Sequence, residues 1–382
     1  MISERYLQRQ PLGGFRTFGG DAVMPDLQRP TSGAGRVIWV VNSYTARYRP
    51  RLTIAGHLEM PVKSGRLVVE KTRPLAEHDL PEAQRIVRRA FGTFLGAPDL
   101  DTFWTDFDYV YGRFGAEHTV AFAADADGAL AGVNFATRWG SVGFFGPLSI
   151  RPDLWNRGVA QPLVQAVSDA FDTWGVSHAG LCTFPHSTKH VWLYQKFGFY
   201  PRYLTPVMAA PVTSGLTLRP PLARYSELST DERAEAEQAS RALTDEIYEG
   251  LDLSAEIRTV AARNLGDTLL LREGASRLAG FAICHWGPAS EAERGCLFVK
   301  FGAARPGSGG EARFASLLDG CAALAQAVGM TNVLAGVNTG RDEAYRLMLT
   351  HGFRARMHVV TMHRPNEPGY SRPGCFVLDD WR

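Results

Sequence analysis

Two stretches of this sequence overlay without a gap at a spacing of 154 residues. Arg151-Pro152 falls on Arg305-Pro306, Leu163 on Leu317, Gly175 on Gly329, Leu193 on Leu347, Gly198-Phe199 on Gly352-Phe353, and Arg202 on Arg356. A spacing held constant from Arg151 to Arg202 marks an internal duplication, so one unit is expected to be built twice. Whatever fold the first unit adopts, the second must be able to adopt it too.

The local patterns say what that unit is. Leu67-Val68-Val69 starts a strand. Asp79-Leu80-Pro81 opens a helix whose apolar stripe is Ile86, Val87, Ala90, Phe91 and Phe94, with proline tolerated in the first turn. Leu100–Phe114 is predicted as a second, aromatic helix. Thr119–Ala124 and Ala129–Phe135 are strands around the turn Asp125–Gly128, and Val142–Ile150 is a third. A helix with Val159, Leu163, Val164, Val167, Phe171 and Trp174 on one face stops at Gly175. Strand Ala179–Thr183 and short helix Thr188–Lys196 complete the unit, a mixed α/β layer architecture. The Pro-rich stretch near Val212–Pro221 separates it from the second run. The expected division is an extension at 1–62, a catalytic domain at 63–212 and a degenerate copy at 213–382. The extension carries eight arginines and no lysine, is rich in Gly and Pro, and is expected to be flexible.

Composition narrows the function. Of 382 residues, 21% are charged and the net charge is only +2, which gives no reason to expect nucleic acid or an anionic membrane as partner. Cys182, Cys284, Cys296, Cys321 and Cys375 are scattered and form no CxxC pair. They argue for a reducing, cytoplasmic setting and against a metal site.

The segment from Gly146 to Ala160 runs from a strand through a glycine turn into a helix. The first amides of a helix have no internal partner and its dipole is positive there, which suits a phosphate. Gly158 allows close backbone approach and Arg157 adds a cation. No Walker lysine is present. This window, Trp155-Asn156-Arg157-Gly158-Val159-Ala160, resembles the coenzyme A loop of the GNAT superfamily of N-acetyltransferases, with Trp155 where Gln or Arg is usual. Val191-Trp-Leu-Tyr-Gln-Lys-Phe-Gly-Phe199 resembles the family's Leu-Tyr-x-Lys-x-Gly-Phe segment.

The resemblance implies two tandem GNAT-like domains, each a mostly antiparallel mixed sheet flanked by helices. It implies acetyl-CoA as co-substrate, held by Leu148, Ser149, Ile150, Asn156, Arg157, Gly158, Val159, Ala160 and Ser187. An amine would attack the thioester directly, with Tyr194 as general acid for the departing thiolate. The base is open: His186 or His190, or a water relay to Glu117 or Asp153. Ser187 stands where the family usually has Asn. In the second copy Tyr194 becomes Met348, Arg157 becomes Glu311 and Ala160 becomes Phe314, so chemistry is expected in the first copy alone. The acceptor is expected to be a small-molecule or protein amine, met by an aromatic wall (Phe91, Phe94, Phe103, Trp104, Phe107, Tyr109, Tyr111 and Phe114) and the acids Asp101, Asp106 and Asp108. A homodimer is also an open expectation. The alternative is a non-catalytic acyl-CoA-binding or regulatory module, which would need the loop but not the phenol.

Overall fold

The computed structural model describes residues 71–106, 108–213, 215–218, 221–274 and 277–382. The extension at 1–62 and the strand start at Leu67 lie outside them.

The first half runs β1 (Lys71–Pro74), α1 (Leu80–Leu95), β2 (Thr119–Ala126), β3 (Ala129–Trp139), β4 (Val142–Phe145), β5 (Ser149–Ile150), α2 (Ala160–Thr173), β6 (His178–Thr183), α3 (Thr188–Gln195) and β7 (Tyr200–Pro211). The second runs β8 (Leu222–Arg224), α4 (Thr230–Ile247), α5 (Ser254–Ala262), β9 (Gly266–Glu273), β10 (Arg277–His285), β11 (Cys296–Ala304), α6 (Gly310–Ala327), β12 (Asn332–Gly336), α7 (Asp342–Thr350), β13 (Arg354–Arg364) and β14 (Phe376–Leu378). The mixed α/β architecture expected from sequence is present in both.

The described residues of 100–114 do not form a helix; they form a run of turns. α1 ends at Gly96 in the left-handed region, and the following carboxylates compete for main-chain amides. Asp99 accepts from Asp101 N–H, and Asp108 accepts from Val110 and Tyr111 N–H. Short acidic side chains bonded to nearby amides favour turns over helix. Val142–Ile150 is likewise two strands rather than one, because Pro147 has no N–H to give the ladder.

Both halves share one continuous sheet, in the order β1-β2-β3-β4-β6-β13-β7-β12-β11-β10-β9-β8. The last long strand of each half is exchanged: β13 pairs with β6 of the first half, and β7 with β12 of the second. The exchange keeps the 154-residue spacing position by position. Cys182 pairs with Thr361, and their counterparts Gly336 and Val207 pair with each other. At the centre Thr205 faces Val359, which is its own counterpart. The register therefore has a local two-fold axis between β7 and β13.

The core lies on both sides of this sheet. Leu163, Val164, Val167 and Phe171 of α2 are buried in the first half, as are Phe314, Leu317, Cys321 and Leu324 of α6 in the second. A buried ionic seam also joins the halves. Arg113 pairs with Glu291, which also accepts from Lys300, while Glu256 accepts from Trp139 and pairs with His118.

Candidate active site

β4 and β6 run parallel and pair only over Val142–Phe144 and His178–Gly180. Beyond Phe144 they splay, because Gly146-Pro147 turns the chain away and β5 stays on β3. Arg151 N–H donates to the Ala131 carbonyl. Strand alternation then aims the amides of Leu148 and Ile150 into the gap. Arg113 fixes the bend by donating 2.5 Å to the Gly146 carbonyl.

The gap opens into a cleft of about 560 Å³. Leu148, Ile150, Asn156, Gly158, Val159, Ala160, Ser187 and Tyr194 line it, so most residues named from sequence converge. Ser149 is buried but is not among the lining residues. Arg157 and His186 are exposed and lie outside the lining, His186 stacked on Phe94 at 5.7 Å. Of the two histidines, His190 is the one that lines the cleft.

The loop's geometry suits an anion. Gly158 has φ +88°, and a Cβ placed there would meet no atom within 4 Å, so the loop faces open space. α2 begins with no side-chain cap and no acid in its first turn; Gln161 N–H turns back to the Gly158 carbonyl and Pro162 has none, so the loop amides ahead of Gln161 are the ones that can meet a ligand. Trp155, at the position where the sequence pattern departs from the family, donates its indole N–H to the Ile150 carbonyl at 2.9 Å and so ties loop to strand. Lys189 of α3 places its ammonium 5.7 Å from the Trp155 ring centre, restoring a cation at that side of the cleft.

Tyr194 packs edge-on against Phe145 at 5.6 Å, and burial pushes its phenol well above the ordinary value. Burial, then Lys189 and His186, lower His190. The phenol therefore holds its proton at neutral pH, and the imidazole is in its neutral form. Opposite stand Phe91, Phe94, Trp104 and Phe184, with Phe91 4.8 Å from Trp104 and Phe94 4.9 Å from Phe184. The acids expected among these aromatics are engaged elsewhere. Asp106 accepts from Arg294 N–H, Asp108 from its own turn, and Asp101 is exposed. The sequence reading missed the wall supplied by the second half: Glu293, Arg356, Val359, Asp380, Trp381 and Arg382. No local motif announces residues that come from the other copy.

Residues 82–199 match the Acetyltransferase (GNAT) family. No curated protein matches the sequence. Among solved structures, a proposed acetyltransferase from Pyrococcus horikoshii is similar at TM-score 0.56 and 11% identity, over 86% of this chain and 99% of that one. A GCN5-related N-acetyltransferase from Sphaerobacter thermophilus is similar at TM-score 0.50 and 16% identity, over 78% and 95%. A GCN5-related glucosamine N-acetyltransferase region of a fungal multi-domain β-N-acetylglucosaminidase gives TM-score 0.53 and 13% identity, over 77% and 38%. These likenesses show the fold, and the family match places the open strand gap inside the matched segment. The chain has the GNAT-type acetyltransferase fold, and the family match over residues 82–199 supports acyltransferase activity. Among the described residues, no helix is long and apolar enough to cross a membrane.

Proposed function

We propose that the chain transfers an acetyl group from acetyl-CoA to a primary amine in the first-half cleft, by direct attack and without an acyl-enzyme. The observation that carries this reading is the open gap between β5 and β6, which has an uncapped helix start at one end and Tyr194 in its lining. Acetyl-CoA bound there supplies an activated thioester. The loop amides ahead of Gln161, with Lys189 on the Trp155 side, hold the diphosphate. The Leu148 and Ile150 amides orient the acyl carbonyl and favour charge developing on its oxygen. His190, kept neutral by burial, accepts a proton from the incoming ammonium, and Tyr194, kept protonated, gives one to the departing thiolate. The second half contributes a wall and no chemistry. The test is thiol release from acetyl-CoA across a panel of amines. Tight CoA binding with no amine-dependent release would refute transfer and leave only binding.

A further inference from the structure

In the second half, the counterparts of Leu148–Ile150 are Gly302–Ala304. Arg305 N–H donates to Ala279, just as Arg151 donates to Ala131, so the Gly302 and Ala304 amides also face a gap. That gap is filled by the chain itself. β14 pairs antiparallel with β11, Leu378 on Gly302 and Phe376 on Ala304, and Asp379 N–H reaches the Gly336 carbonyl on the other side. Phe376 lies against the first turn of α6. A Cβ on Gly310 would come within 2.6 Å of its ring, and Phe314 is 5.7 Å from it.

Beyond the plug, the same segment enters the first cleft. A Cβ on Gly336 would lie 2.2 Å from that of Asp380, and one on Gly180 would lie 1.8 Å from the Trp381 ring. One glycine from each half thus admits the segment. Trp381 takes φ +46° and donates to the Tyr370 hydroxyl at 2.9 Å. Arg113 donates to the Arg382 carbonyl, and the Arg382 guanidinium sits 4.0 Å over the Phe298 ring. The Arg382 Nε and Nη2 together hold both oxygens of Asp380, Nη2 at 2.6 Å. Only two carboxylates line the cleft among the described residues. Glu293 is a half-exposed partner of Arg356, whereas Asp380 is 2% exposed and oriented.

We propose that Asp380–Arg382 is the acceptor-recognition wall of the first cleft, with the Asp380 carboxylate receiving the ammonium of a primary amine whose apolar body lies on Phe91, Phe94, Trp104 and Phe184. This rests on the acyltransferase reading above. A carboxylate beside aromatic faces attracts an ammonium by charge and by the ring quadrupoles together. Arg382 and the two glycines hold that carboxylate in place before the amine arrives.

The test uses the full chain, acetyl-CoA and phenethylamine. Calorimetry should show one CoA per chain, unchanged in Asp380→Asn and Asp380→Glu. Asp380→Asn should raise the phenethylamine KM at least tenfold, with kcat changed far less, and Asp380→Glu should recover part of the loss. Thermal melting identifies a variant that fails to fold, and Asp380→Glu then carries the comparison by its own KM shift. A phenethylamine KM within twofold of wild type in Asp380→Asn overturns the assignment, and so does a wild type that binds CoA but leaves phenethylamine unacylated. Absence of CoA binding by the wild type defeats the acyltransferase reading itself.

Discussion

The two halves share a frame and a strand register, yet their clefts have opposite contents. In the first, α2 starts at Ala160 behind an open glycine loop. In the second, α6 starts at Gly310, which registers with Asn156, one turn earlier, and its first turn carries Glu311 and lies against Phe376. Where one half keeps polar backbone exposed for a ligand, the other pairs the same backbone with β14 and buries apolar side chains. An unfilled gap would leave main-chain amides without partners, so a copy that loses its ligand needs another occupant. The exchanged strands β7 and β13 explain why the second copy persists, because neither sheet is complete without it.

The comparison breaks most readily at Tyr194. Tyr194→Phe should lower amine-dependent thiol release about 10²–10⁴-fold, the usual contribution of a positioned acid, with CoA affinity unchanged. The reciprocal Met348→Tyr should add nothing. Steady-state thiol release and calorimetry read both, and near-normal turnover in Tyr194→Phe would remove the phenol from the chemistry.

Next in size is the plug. Phe376→Ala deletes a buried ring from the second core and should cost about 3–5 kcal/mol in urea unfolding. CoA affinity in the first cleft should change little. Appearance of a second CoA equivalent would show that the second cleft is latent rather than lost.

How much of this was legible in sequence follows from which interactions are local. The 154-residue spacing exposed the duplication because both copies kept their turn glycines and apolar positions. The loop at Gly158 was legible because a glycine turn into a helix start is a local pattern, and Tyr194 because the segment Leu193–Phe199 resembles a family motif. The Leu100–Phe114 turns were not, since the competition lay in two aspartates, Asp99 and Asp108, bonding to nearby amides. Strand exchange was invisible because nothing in the sequences of β7 and β13 says which β6-like strand each joins. Asp380 was missed because its neighbours in sequence say nothing of Gly336, Gly180 or Phe298. Trp155 read as a defect in the loop, whereas its bond to Ile150 and the nearby Lys189 are tertiary.

Acid should attack the seam of the exchange. His178 of β6 and His363 of β13 meet at 4.7 Å, and both are buried. Burial, the larger cause in each, lowers His178 to about 3 and His363 to about 4. The unfolded chain therefore binds more protons than the folded one between pH 6.5 and about 4. Stability is full above pH 6.5 and falls as pH drops through that window, by roughly 1.4 kcal/mol per pH unit for each ring. Urea midpoints measured from pH 7.5 to 4.5 check this. A flat profile would mean that the protonated rings find partners or water.

The smallest effect separates loop strain from ligand contact. Gly158 and Gly307 lie in the corresponding loops of the two halves, at φ +88° and +84°, and neither would crowd a Cβ against protein. Alanine at either position pays the same left-handed backbone cost, about 1–2 kcal/mol, so Gly158→Ala and Gly307→Ala should destabilise the chain alike. Only at Gly158 does the open space belong to the cleft. Gly158→Ala should therefore also weaken CoA binding, by about the tenfold that a loss of roughly 1.4 kcal/mol represents, while Gly307→Ala should leave it unchanged. Equal CoA affinities in the two variants would place the diphosphate away from the Gly158 loop, even though the loop has the free amides to hold it.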